Sequence, residues 1–445
     1  MTTSRAAKSA FRHAIRLGTG RAYLLAQAHP EIDFSTHIIE AALRCFAYDG
    51  QAEPNRAPYL YELYCLVPQQ ARIRRAVLRG LATERDDTWA LTQLFKLTLF
   101  FAQEGDAAAR KALYRNFLRN PIRGSDWVGG HELITLDGLA GLHYIARKYG
   151  QYLARHPDDW QDDGPTEFLR EKYPDLDIWT ELRQWAETDA DVRRYLQNVK
   201  NTLASQAYYQ AAQPEPAPVP TLESLLQRPP GTYVRLAMRR QLPGPTETQQ
   251  LAKRLLTEQN PAVRENLLYL FSRIKFPLGY APILALARQK TSRRHRLVEF
   301  ATDALAHLSA PEVREFALQK LARTTRPGQY TRILRSNYQA GDAVLLTSIA
   351  ERFHKEHTIE SLAVSYVAIY EANPTPECAG PLLALYAKMN CGMHRYEVVQ
   401  LLLANGVLPA WLNEELLFDS YHKTRLLHQP PAYPTDLNKA ATLTQ

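Results

Sequence analysis

The heptapeptide NPAVREN at Asn260–Asn266 returns fifty positions later as APEVREF at Ala310–Phe316. Two copies of one helix start at a fixed offset predict a repeat architecture, in which each unit buries its apolar face on its neighbours. Asn260 is placed to cap the free N–H groups of a first turn. Pro261 follows at the first helical position, where a missing N–H costs nothing. In the second copy Ser309 precedes Glu312 by three positions, the spacing of a capping box. Apolar residues then keep a helical period: Val263, Leu267, Leu270, Phe271 and Ile274 in one copy, Val313, Ala317 and Leu321 in the other.

The same period runs through the chain. Ile359, Leu362, Ala363, Tyr366, Val367 and Tyr370 make one stripe; Leu297, Ala301, Ala304, Leu305 and Leu308 make another. Strand-like alternation tempts at one place, ELITL (Glu132–Leu136). Breaks between the periodic stretches are short, so the expectation is an all-α array of antiparallel neighbours. AAQPEPAPVP (Ala211–Pro220) holds four prolines in ten residues and reads as a polyproline linker. The chain therefore divides into an N-terminal helical-repeat segment (1–210), the linker (211–220), a C-terminal repeat segment (221–425) and an extended or mobile tail (426–445). The acidic stretch His156–Glu167 is expected as a surface loop; its Asp159, Gln161, Asp163 and Gly164 imitate a calcium loop, but position twelve is Arg170.

With these residues in view the chain resembles the HEAT-repeat family, whose second helices often open on Asp/Asn-Pro-x-Val-Arg. Asn260, Pro261, Val263 and Arg264 match that turn, as do Pro311, Val313 and Arg314; Ala310 departs from it, and ADVRRYL (Ala190–Leu196) echoes it without the proline. The region after Ser336 is also similar to bacterial HEAT-type proteins of unassigned function. The resemblance implies an α-α superhelix in two segments, with Arg264 and Arg314 knitting neighbouring repeats. It implies a tendency to bind macromolecules, and neither a chemistry nor a cofactor.

Charge narrows the partner. The formal net charge is +8, and within Arg228–Arg296 fourteen basic residues face three acidic ones. RQKTSRRHR (Arg288–Arg296) is the densest part: Arg288 and Lys290 end one helix, and Arg293, Arg294 and Arg296 open the next, where positive charge opposes the helix dipole. If successive turns share an edge, Arg239, Arg240, Lys253 and Arg254 extend this cluster into a basic edge suited to an acidic protein surface or a phosphate backbone.

Other chemistries find little footing. A mean hydropathy of −0.36, with no apolar run near eighteen residues, argues against a membrane span. Four scattered cysteines (Cys45, Cys65, Cys378, Cys391) fit a reducing, cytoplasmic setting. The acid-free N-terminal stretch reads as a basic end-helix, with a transit peptide or membrane-surface helix as the alternative. His354 and His357 are spaced i, i+3, one short of a zinc helix; Cys391 and His394 share that spacing with no second pair, so no metal is expected. SDWVGGHELITLDG (Ser125–Gly138) has the residue types of a catalytic loop or of a long inter-repeat turn. The expected function is a non-enzymatic scaffold for a protein partner. The alternative is a nucleic-acid binder, by fold-level analogy with HEAT-like DNA glycosylases. A HEAT-like bilin-lyase type of enzyme stands third.

Overall fold

The computed structural model describes residues 2–119, 128–212, 219–291 and 294–429. Among them are 26 α-helices, two short 3-10 helices and no strand. Most helices pack on the next or next-but-one helix along the chain, which gives an all-α, solenoid-like array; helices Leu139–Leu153 and Ala190–Ala212, three apart, also pack extensively. No helix among the described residues is long and apolar enough to cross a membrane.

The repeated heptapeptide starts a helix both times, by different means. Helix Pro261–Phe271 is capped by Asn260, whose side chain accepts the Ala262 N–H at 2.9 Å. Val263, Leu267, Leu270 and Phe271 are buried, as the period requires. Helix Pro311–Leu321 has Ala310 at its N-cap, without a side-chain cap. The Ser309–Glu312 box does not form. Ala310 is extended and donates its own N–H to Asn337 Oδ1 at 3.1 Å, while Glu312 accepts from the Tyr280 hydroxyl.

The two arginines also differ. Arg314 grips both oxygens of Asp342 at 2.6 Å and the Asn337 carbonyl at 2.7 Å, tying its helix to helix Asp342–Arg352. This bidentate, charge-assisted pair is the strong kind of contact between helices. Arg264 Nε is buried with no hydrogen-bond partner among the described residues. Asp342 stands 28 residues after Arg314, and the same step from Arg264 leads to Ser292, which has no carboxylate.

ELITL lies inside helix Gly130–Asp137, where adjacent Leu133 and Ile134 are both buried, as helix packing allows and alternation does not. Of the acidic stretch expected as a surface loop, residues 156–160 are exposed, but from Gly164 it opens helix Gly164–Lys172, with Pro165 and Thr166 buried. Buried apolar residues fall into two clusters, from Ala7 to Val199 and from Leu222 to Leu416.

One feature is absent from any local pattern: the last helices pack on the first. Helix Thr2–Leu17 buries Phe11, Ala14 and Ile15 and exposes Arg5, Arg12 and Arg16. Where it ends, Gly18 accepts the Ser420 N–H at 2.8 Å, and Arg395 donates to the Leu17 carbonyl at 2.7 Å. Arg395 pairs with Asp419 at 2.9 Å, and both side chains are wholly buried. Arg56 bridges the Arg16 and Asn390 carbonyls, Glu53 accepts the Gly392 N–H, and Arg425 grips Glu62 with both arms. Tyr23 stacks on Phe418 with ring centroids 4.0 Å apart. At Gly20 a Cβ would lie 1.9 Å from the Glu415 carbonyl oxygen, so this approach requires glycine.

Candidate functional site

The C-terminal helices carry a groove whose wall takes a few residues from each of several successive units. Helix Thr232–Arg239 presents Thr232, Arg235, Leu236 and Arg239, an i, i+3, i+4, i+7 set on one face. Tyr269 and Arg273 come from the end of helix Pro261–Phe271 and the turn after it. Arg296 at the N-cap of helix Leu297–Leu305, with Glu299, Phe300 and Asp303 within it, forms the middle. Arg332, opening the 3-10 helix Arg332–Ser336, closes this part.

Two cavities, of about 330 and 600 Å³, meet across Arg296, Glu299, Asp303 and Arg332. The larger continues past Arg326 and Tyr330 to His357 and Ser361 on helix Glu356–Ala372. Among the described residues, six arginines thus face the groove (Arg235, Arg239, Arg273, Arg296, Arg326 and Arg332), with two carboxylates among them.

Their positions are held from behind. Arg239 Nε donates to the Tyr269 hydroxyl at 2.9 Å, and that hydroxyl donates to the Arg235 carbonyl at 3.3 Å. The guanidinium groups of Arg296 and Arg235 flank the Phe300 ring, 4.8 and 5.9 Å from its centroid. Buried Glu265 lies beneath, accepting the Arg296 backbone N–H at 3.2 Å with His295 Nδ1 3.4 Å away. Arg296 pairs with Glu299, and Arg332 with Asp303 at 3.4 Å. Burial pushes the Asp303 carboxyl up to about 6, against the pull of the Arg332 guanidinium. The Arg296 guanidinium is held charged more firmly than usual by its hydrogen bonds to Glu299.

Of the basic edge expected from sequence, Arg239 and Arg296 meet in this groove. Arg254 is bound to Glu223 at 2.7 Å and Glu258 at 3.4 Å, outside it. Arg240, Lys253, Arg288 and Lys290 are exposed and do not line it. Arg294 is exposed, and Arg293 lies outside the described residues, as do Ser125–Trp127 of the glycine-containing loop. Arg235, Arg273, Arg326 and Arg332 were missed. They stand apart in the sequence, Arg235 and Arg273 by 38 residues and Arg296 and Arg332 by 36, spacings that the fifty-residue offset of the heptapeptide does not mark.

Comparison of the chain with protein-family models, with curated proteins and with solved structures finds no match.

Proposed function

We propose that this chain is a HEAT-like, non-enzymatic scaffold that holds an extended acidic segment of a protein partner along the Arg235–Arg332 groove. The observation that carries this reading is the mixed lining: arginines in excess, with Glu299 and Asp303 set among them and the exposed Leu236 at the lip. A polypeptide can answer such a wall with carboxylates, backbone donors and apolar side chains in turn. A phosphate backbone carries regular negative charge, and the two groove carboxylates repel it. The nucleic-acid alternative rests on the same arginine excess and is weaker for that reason. Four free thiols support a reducing, cytoplasmic setting.

The test compares a fluorescein-labelled pool of Glu- and Leu-rich peptides with a duplex oligonucleotide, by anisotropy at two salt concentrations. The peptide pool is expected to bind. Arg239→Glu with Arg273→Glu, both exposed, weakens it by at least roughly tenfold, the loss typical of an interface arginine. Tighter binding of the oligonucleotide, with a steep salt dependence, would replace this reading by the nucleic-acid one.

A further inference from the structure

A separate cluster lies where the C-terminal units meet the start of the chain. Glu360 sits on the first turns of helix Glu356–Ala372; Cys391 is the N-cap of helix Gly392–Ala404, and His394 lies in that helix's first turn. Glu360 Oε1 accepts the backbone N–H groups of Asn390 and Cys391, each at 3.0 Å. Its other oxygen stands 2.8 Å from His394 Nδ1. One carboxylate oxygen, one sulfur and one ring nitrogen lie within 4.8 Å of one another, and Glu360 and Cys391 are 2% and 4% exposed.

A turn held by Glu360, with His394 balancing its charge, would need a carboxylate and an imidazole there. It would not need a thiol. A sulfur, a nitrogen and an oxygen donor converging from two helices is the ligand mixture zinc accepts, and three protein ligands leave its fourth tetrahedral position open. Bond lengths of about 2.0–2.3 Å place tetrahedral donors roughly 3.3–3.8 Å apart, so the Glu360–His394 pair at 2.8 Å opens slightly to admit the ion, within a cluster no wider than 4.8 Å. A thiolate and a carboxylate together neutralise a divalent charge, which a buried site demands. The backbone N–H bonds to Glu360 Oε1 supply the outer support that ligating carboxylates require. Cys391 and His394 alone fall short of a ligand set in sequence; the fold adds Glu360 from 31 residues upstream of the cysteine. We infer that Glu360, Cys391 and His394 form a three-ligand site for zinc or a zinc-like divalent ion, with the fourth position open to water. The groove plays no part in this inference.

The test titrates the full chain, first stripped with chelator, with cobalt(II) as a spectroscopic stand-in for zinc. A sulfur-to-cobalt charge-transfer band should saturate at one equivalent. It should vanish in Cys391→Ser and persist in Cys65→Ser. His394→Ala and Glu360→Gln should each weaken binding by more than the roughly 10–100-fold that loss of an outer-shell partner costs. Should Cys391→Ser fail to fold, the unaltered chain supplies a second readout: one equivalent of zinc should protect Cys391 from alkylation in mild denaturant, as read by peptide mapping, and leave Cys65 unprotected. Absence of a saturable band, or alkylation of Cys391 at the same rate with and without zinc, overturns the assignment.

Discussion

Asp303 is the residue whose environment is most at odds with its charge. Its carboxyl is pushed up to about 6 by burial, above an ordinary value of 3.8, although Arg332 lies beside it. Between those two values the folded protein holds a proton that the unfolded chain has released. Stability contributed by the protonated acid is therefore whole below pH 3.8 and lost as pH rises through 6. Asp303→Asn removes this liability. The variant is expected to exceed the parent in stability by about 1–3 kcal/mol at pH 7, with the difference shrinking toward pH 4. Urea unfolding of both proteins across that range measures it; a difference independent of pH would mean that Arg332 already stabilises the charged carboxylate. Protonation also removes one negative charge from the groove. An acidic peptide should thus bind more tightly at pH 5.5 than at pH 7.5 in the parent, and lose that gain in Asp303→Asn.

Helices were legible element by element because what makes them is local. The stripe after Asn260 and the proline behind it sit within one heptapeptide, and the helix begins where they say. Asn260→Ala should cost about 1 kcal/mol, the usual worth of an N-cap, whereas Ser309→Ala, outside its helix and exposed, should stay within about 0.5 kcal/mol of the parent. Denaturant midpoints of the two variants check this, and equal losses would restore the Ser309 cap. The groove was legible in part. Counting basic residues along the chain finds runs, and Arg296 belongs to one. A wall assembled from about one arginine per unit leaves no run, so Arg273 and Arg332 look like solitary surface charges. Glu360 was hidden for a related reason, since its partners lie on another helix.

At the scale of the whole molecule, the closure of last helices on first was invisible, because it joins residues that no period or motif relates. Arg395 is its clasp. Arg395→Ala leaves Asp419 buried without its cation, a loss of about 3–5 kcal/mol, and cuts the bonds to the Leu17 and Gly18 carbonyls. Hydrogen exchange should then quicken near residues 14–24 and 415–425 while helix Pro261–Phe271 keeps its protection; uniform loss would mean that the array unfolds as a single unit. The clasp also bears on how the chain is made. Synthesis delivers Leu17 and Gly18 more than 370 residues before Arg395. At about 5–20 residues per second, the ribosome takes roughly 20–75 s to cover that distance. Through all of it the helix ending at Leu17 can pack on its immediate neighbours, as Phe11 does on Phe34, while the stretch from Leu17 to Tyr23 that Arg395 and Phe418 will cover stays bare.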